Sequence, residues 1–180
     1  MNSQHILHTD RLILKSVNPA LIHDFYNTKS KAEIMDYFGF DEVDYEKFKL
    51  QHEKGIETYN ISVLFFLLID KQSNLPIGEC GFHTWNKNHQ RAELFYKIRS
   101  EENRRKGYAK EALNEVLNFG FTSMNLHRIE ALVADWNTPS VKLVHYYGFT
   151  KEGTMREDYL VNDKYEDSDC YSLLKWEWNH

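Results

Sequence analysis

The sequence predicts a mixed α/β fold built on a mostly antiparallel sheet, and three observations point to it. Three apolar runs, Ile61 to Asp70, Ile77 to Trp85 and Arg91 to Arg99, follow one another with only short polar turns between them. That is the pattern of an antiparallel meander. A long helical repeat, Lys110 to Met124, then follows through the stretch Arg104-Arg105-Lys106-Gly107-Tyr108-Ala109. Beyond it, strand-like and helix-like segments alternate to the end of the chain.

Each element has its own signal. Leu12, Ile13, Leu14 and Val17 mark a first strand. Asn18 can cap a following helix, with Pro19 at the first helical turn and the helix running from Ala20 to about Thr28. Lys31 to Tyr37 reads as a second helix, ended by Gly39. Asp44 to about Tyr59 reads as a charged, exposed helix with Phe48 and Ile56 on its buried side. The run Val63 to Ile69 is apolar without alternation, as in a strand buried on both faces. Asn74-Leu75-Pro76 and Asn86-Lys87-Asn88-His89 are the turns of the meander. Ala109, Ala112, Leu113, Val116, Leu117, Gly120, Phe121 and Met124 recur at helical spacing. His127 to Ala134 is the next strand. Thr138 to Tyr147 is a short helix, with Pro139 early and Gly148 at its end. Two final strands, near Phe149 to Tyr159 and Asp169 to Trp178, flank a turn at Asn162-Asp163-Lys164.

Bulk properties narrow the function classes. A length of 180 residues predicts one compact domain over 1–180. With 42% hydrophobic and 27% charged residues the composition is that of a globular protein. A formal net charge of -5, from 22 basic and 27 acidic residues, argues against nucleic acid as the main partner and mildly favours cationic substrates. No apolar run is long enough to span a bilayer, and no secretory signal is visible, so a cytoplasmic location is expected. Cys80 and Cys170 have no metal-like spacing and read as reduced thiols. His5, His8, His89, His145 and His180 form no ligand pattern and read as surface histidines, so no metal is expected.

The chemistry concentrates at Arg104 to Ala109. A strand that turns through a glycine into a helix presents unpaired N–H groups and a positive dipole end, and such a turn binds phosphate. Cations at a helix N-terminus oppose the dipole unless an anion compensates them. A bound phosphate would compensate Arg104, Arg105 and Lys106, of which one or two are expected to touch it. Gly107 permits positive φ and close approach of the backbone.

Several motifs in one order extend this reading: Thr9-Asp10-Arg11-Leu12-Ile13-Leu14, Arg104-x-x-Gly107-x-Ala109, Leu126-His127-Arg128-Ile129-Glu130-Ala131, Asn137-x-x-Ser140 with Gly148-Phe149, and Glu152-Gly153 with Arg156, Asp167 and Tyr171. Together they resemble the GNAT superfamily of N-acetyltransferases, and within it the RimJ/RimL-type branch. The resemblance implies a twisted sheet with helices on both faces, splayed between the strand ending at Arg99 and the strand starting at His127. Acetyl-CoA would lie in that gap as cosubstrate, its diphosphate on the loop with Tyr108 and Ala109 offering backbone N–H groups. The Ile98 backbone would pair with the pantetheine arm, and backbone N–H groups near Phe95 and Tyr96 would polarise the thioester carbonyl. Asn137 would contact the cofactor or cap the short helix. Ser140 would reprotonate the coenzyme A thiolate or serve as a plain helix-turn residue. Many members carry a tyrosine in the short helix, where this chain has Val144; Tyr146 and Tyr147 fall on other helix faces.

Acetylation of an amine requires the uncharged amine, hence a proton acceptor. Glu93 breaks an apolar strand and is the first candidate base. A turn centred near Asn88 sets Glu93 opposite His83, with Glu79 on the same face. A buried structural pair is the competing reading, and Glu157 and Asp158 are rival carboxylates. The acceptor is a primary amine, on a small molecule or a protein N-terminus. A homodimer is plausible. A non-catalytic acyl-CoA sensor on the same fold is the alternative function; neither G-x-x-x-x-G-K-[ST] nor G-x-G-x-x-G occurs to suggest a nucleotide enzyme.

Overall fold

The computed structural model describes residues 4–179; His180 lies outside them. In chain order the elements are β1 (Ile6–His8), β2 (Leu12–Val17), α1 (Pro19–Thr28), α2 (Lys31–Phe38), α3 (Glu42–Lys54), β3 (Ile61–Asp70), β4 (Pro76–Asn86), β5 (Arg91–Ile98), α4 (Tyr108–Thr122), β6 (Arg128–Val133), α5 (Thr138–Tyr146), β7 (Thr150–Val161) and β8 (Lys164–Leu174). All eight strands form one sheet in the order β1-β2-β3-β4-β5-β6-β8-β7. Every neighbouring pair is antiparallel except β5 and β6.

β3 shows why the sheet carries helices on both faces. Phe66 and Leu68 enter one cluster with Ala112, Leu113, Val116 and Leu117 of α4. Phe65, Leu67 and Ile69 enter a second cluster with Ile22 of α1 and with Ile34 and Phe38 of α2. Burying each such side chain stabilises the fold by about 1.5–3 kcal/mol, so a strand apolar on both faces is favoured only between two layers. Asn18 caps α1 through Leu21 N, and Ser30 with Glu33 forms a reciprocal capping box on α2.

Three expectations change. β1 is an added edge strand that pairs Ile6 to His8 with Lys15 to Ile13. Helix α3 ends at Lys54, short of Tyr59, because Gly55 takes φ 105 and leaves the helical region. β8 begins at Lys164 and stops at Leu174, so the final hairpin is longer and tighter than the apolar pattern indicates.

β5 and β6 decide where the site lies. Only Arg91, Ala92 and Glu93 pair with β6, against Arg128, Ile129 and Glu130. Beyond Glu93 the two strands diverge. β5 continues to Ile98 with β4 as its only partner strand among the described residues.

Candidate active site

The opening between β5 and β6 holds two adjoining cavities, of ≈ 320 and ≈ 610 Å³. They share Tyr96, Asn137 and Ser140. The larger runs toward the start of α4, past Ile98, Arg104, Arg105, Gly107, Tyr108 and Ala109. The smaller reaches Glu93, His83 and Phe95 on one wall and Trp136, Tyr159 and Glu166 on the other.

The larger cavity ends at an anion-receptive turn. Gly107 is the N-cap of α4 with φ 83, and no side chain caps the helix. Arg105 is also left-handed, with φ 60. Successive N–H groups in such a curl converge on a concave site, and the helix dipole adds to it. A Cβ at Gly107 would meet only Arg11 Nη2, at 3.5 Å. Conformation, rather than lack of space, therefore requires glycine here.

The basic residues of the turn divide. Arg104 and Arg105 line the cavity. The Arg104 side chain also turns back, donating from Nε to the Ile98 carbonyl at 3.2 Å and pairing with Glu101. Lys106 is not among the lining residues, and its carbonyl accepts a 2.9 Å hydrogen bond from Arg11 Nη1.

Arg11 is a residue that sequence reasoning missed. Its guanidinium bonds Glu111 Oε2 from Nε at 2.6 Å and sits 4.4 Å from the centroid of the Tyr108 ring. Glu111 also accepts from the Arg11 N–H at 2.7 Å and from the Thr9 hydroxyl. Burial raises the Glu111 carboxyl, but the Thr9 and Arg11 hydrogen bonds outweigh it and hold the group below its ordinary value. One side chain thus clamps β2 to the first turn of α4. The signal was Arg11 beside an opening strand, with an acid in the first turn of the key helix.

Asn137 and Ser140 come from α5. Asn137 Oδ1 accepts from Ser140 N at 3.4 Å, so Asn137 is the helix cap and at the same time lines both cavities. Val144 is buried at 2% exposure in the core. Tyr146 faces outward with Lys110 Nζ over its ring, and the Tyr147 hydroxyl donates to the Lys110 carbonyl.

The cross-strand register expected for Glu93 holds: it pairs with His83. Their nearest atoms, Glu93 Oε1 and His83 Nε2, are 3.6 Å apart. Burial pushes the Glu93 carboxyl up to about 7, and the Glu130 and Asp158 carboxylates add to this, against a hydrogen bond from Thr84. Burial, with help from Lys47, pushes His83 down. Both groups move toward their neutral forms, so the contact is not an ion pair at neutral pH. A bulge at Thr84, with φ 51, follows His83 and brings the Thr84 hydroxyl within 2.7 Å of His83 Nδ1.

The other carboxylates separate. Glu79 is 8% exposed and accepts a 2.6 Å hydrogen bond from Arg99 Nη2, an ion pair within the fold. Burial raises its carboxyl, and Arg99 opposes the shift. Arg99 Nε also lies 3.7 Å from Asp44 of α3, while Lys97 Nζ bonds the same carboxylate at 2.8 Å. Glu157 N–H donates to Asp167 Oδ1, and Glu157 lines a separate surface hollow. Asp158 reaches Glu93 only through its charge. Glu93 is therefore the carboxylate that the structure brings to the cavity with a shifted pKa. His5, His8, His89 and His145 are exposed, and among the described residues no group of His, Cys, Asp and Glu is placed to hold a metal ion.

The model of the acetyltransferase (GNAT) domain matches residues 11–150. The chain belongs to the GNAT acetyltransferases. Members of this family draw the acetyl group from acetyl-CoA, and the uncapped turn at Gly107 suits a diphosphate. This GNAT chain is 30% identical over 175 residues to an uncharacterized N-acetyltransferase, p20, of Bacillus licheniformis, covering 96% of this chain and 97% of the relative. It is 32% identical over 168 residues to a spermidine N(1)-acetyltransferase of Vibrio cholerae, covering 93% and 91%. A solved structure of the Vibrio cholerae spermidine N-acetyltransferase SpeG, an F149G mutant, superposes with a TM-score of 0.67 at 28% identity over 92% of this chain and 94% of that one. The relatives match the GNAT chain at nearly full length, so the enzyme class follows: it is an N-acetyltransferase.

Proposed function

We propose that the whole chain, as one domain in the cytoplasm, moves the acetyl group of acetyl-CoA directly to a primary amine. Glu93 carries the reading. It is a carboxylate pushed up to about 7 at one end of a gap whose other end is the uncapped start of α4. A base poised near the working pH combines a large ionised fraction with useful basicity.

In this mechanism Gly107, Tyr108 and Ala109 hold the diphosphate through backbone N–H groups, helped by Arg104 and Arg105, with Lys106 further out. The pantetheine arm runs along the unpaired edge of β5 to Ile98, as an added strand would. Asn137 keeps the start of α5 in place. Glu93 accepts the amine proton, the nitrogen attacks the thioester carbonyl, and the carbonyl oxygen develops charge against N–H groups near Phe95 and Tyr96. The C–S bond then breaks, and the thiolate is reprotonated from the Ser140 side. The step uses acetyl-CoA and no metal.

The acceptor class follows the acidic lining. Glu93 and Glu166 in the cavity, with Asp158 near Glu93, suit a cation. A polyamine-like small amine or a protein N-terminus of the RimJ/RimL-type branch both present one, and neither nucleic acid nor membrane enters the reading. The exposed Met155, Tyr159, Leu160 and Tyr165 of the β7–β8 hairpin support self-association as a homodimer.

Mass spectrometry of acetyl transfer from acetyl-CoA to a library of polyamines, small amines and N-terminal peptides tests this. An acetylated amine with stoichiometric release of free thiol is expected. Tight acetyl-CoA binding without transfer to any of them would overturn catalysis in favour of an acyl-CoA sensor.

A further inference from the structure

One polar group in the gap has no part in the mechanism above. Tyr96 lies on β5 and packs with the α4 and α5 side of the sheet. It lines both cavities, together with Ser140. Its hydroxyl oxygen is buried and makes no hydrogen bond of good geometry with any protein atom. Burial pushes the phenol up and the adjacent Ser140 hydroxyl draws it back, although no well-formed bond closes between the two. An unpaired buried hydroxyl costs about 1–3 kcal/mol, and such exceptions call for an explanation.

The position itself supplies one. Tyr96 stands where the two cavities meet, so a thioester reaching from the Gly107 loop toward Glu93 must pass it. Glu93 and Phe95 belong to the opposite face of β5 from Tyr96, by strand alternation. The amine and the sulfur would therefore meet their proton partners from opposite sides of the sheet. The tyrosines at the end of α5 are committed elsewhere: Tyr147, just past it, bonds the Lys110 carbonyl and Tyr146 faces out. A serine hydroxyl alone is a far weaker acid than a phenol.

We infer that Tyr96 is the proton donor to the departing coenzyme A sulfur, with Ser140 as the positioning residue that steadies the phenolate. The inference rests on the acetyl-transfer reading. As the amine nitrogen bonds to the carbonyl carbon, its proton passes to Glu93. The C–S bond breaks with its electron pair going to sulfur. Tyr96 Oη–H gives its proton to that sulfur, which forms the free thiol. The phenolate regains a proton from solvent by way of the half-buried Ser140 hydroxyl beside it, and Glu93 releases one, so charge and protons balance over the turnover.

Tyr96→Phe tests this, because it removes only an unpaired oxygen. Thermal stability and the acetyl-CoA Kd are expected to stay within about twofold or improve. With the best acceptor of the amine library, kcat is expected to fall about 10- to 100-fold, within or just below the span of general acids. Ser140→Ala should lose less, and the double variant should lose little more than Y96F alone. The pKa of the coenzyme A thiol in the binary complex, read from the pH dependence of alkylation by iodoacetamide, should rise in Y96F. A Y96F kcat within twofold of the parent, or a full loss in S140A with none in Y96F, overturns the assignment. If the parent transfers acetyl to no amine, the acetyl-transfer reading fails on its own. The thiol pKa then decides Tyr96, and an unchanged value rejects it.

Discussion

Glu93 and His83 face each other across β5 and β4 at 3.6 Å, and burial drives each toward its uncharged form. A surface acid and histidine at that spacing would attract as ions. Here the desolvation of the gap dominates, and what results is a carboxyl pushed up to about 7.

Activity should therefore rise with pH through an apparent pKa of about 7 as Glu93 loses its proton. An acceptor amine that is neutral across the whole range separates this limb from titration of the substrate. Glu93→Gln should lower kcat/KM by about 100-fold or more and flatten the limb, as loss of a general base does. A limb that persists in E93Q assigns the base elsewhere.

The same shift has an opposite effect on stability. The folded pKa of Glu93 lies above its ordinary value, so the folded state binds the extra proton between the two values. The contribution of Glu93 to stability is fully present below its ordinary pKa and is lost as pH rises through about 7. Replacement by Gln removes that loss. E93Q should melt about 2–4 °C above the parent at pH 8, and the gap should close near pH 4. Calorimetry at both pH values checks it.

Gly107→Ala should weaken acetyl-CoA binding about tenfold. The added methyl has room beside Arg11, but φ 83 disfavours any residue with a Cβ, by about 1–2 kcal/mol. Isothermal titration would show the loss in Kd with the amine KM little changed.

Arg11→Ala should act through the loop without touching the ligand. It removes the bonds to Glu111 and to the Lys106 carbonyl and the contact with Tyr108. The KM for acetyl-CoA is expected to rise about three- to tenfold, consistent with a lost charge-assisted bond, while kcat holds. A fall in kcat at constant KM would count against this clamp.

Saturating acetyl-CoA should raise the melting temperature. At 100 times Kd, binding adds about 2.7 kcal/mol. Prior dialysis against EDTA should change neither this shift nor the turnover.

Much of this site could be read from the residues, and the failures have physical causes. Gly107 was legible because a glycine between strand and helix has a strong conformational reason to be there. The Glu93–His83 register was legible because a turn centred near Asn88 sets which residues oppose. β1 was not, since three residues are too few to carry a pattern and pair as a strand only with β2. Arg11 and Glu111 are 100 residues apart, and nothing local links them. The Glu79–Arg99 pair is likewise invisible before the strands are aligned. Tyr96 reads as an ordinary strand aromatic until the splay exposes what its hydroxyl lacks.

The three-residue contact between β5 and β6 also shapes the kinetics. The donor would load from the α4 side and the acceptor from the Glu93 side, through separate entrances. Neither substrate has to leave before the other arrives, so initial-rate plots should intersect, as for a ternary complex. Coenzyme A, the thiol product, should compete with acetyl-CoA and not with the amine. Cys80 is fully buried and Cys170 half-buried, and burial pushes both thiols up, away from the thiolate that a covalent acetyl-enzyme shuttle needs.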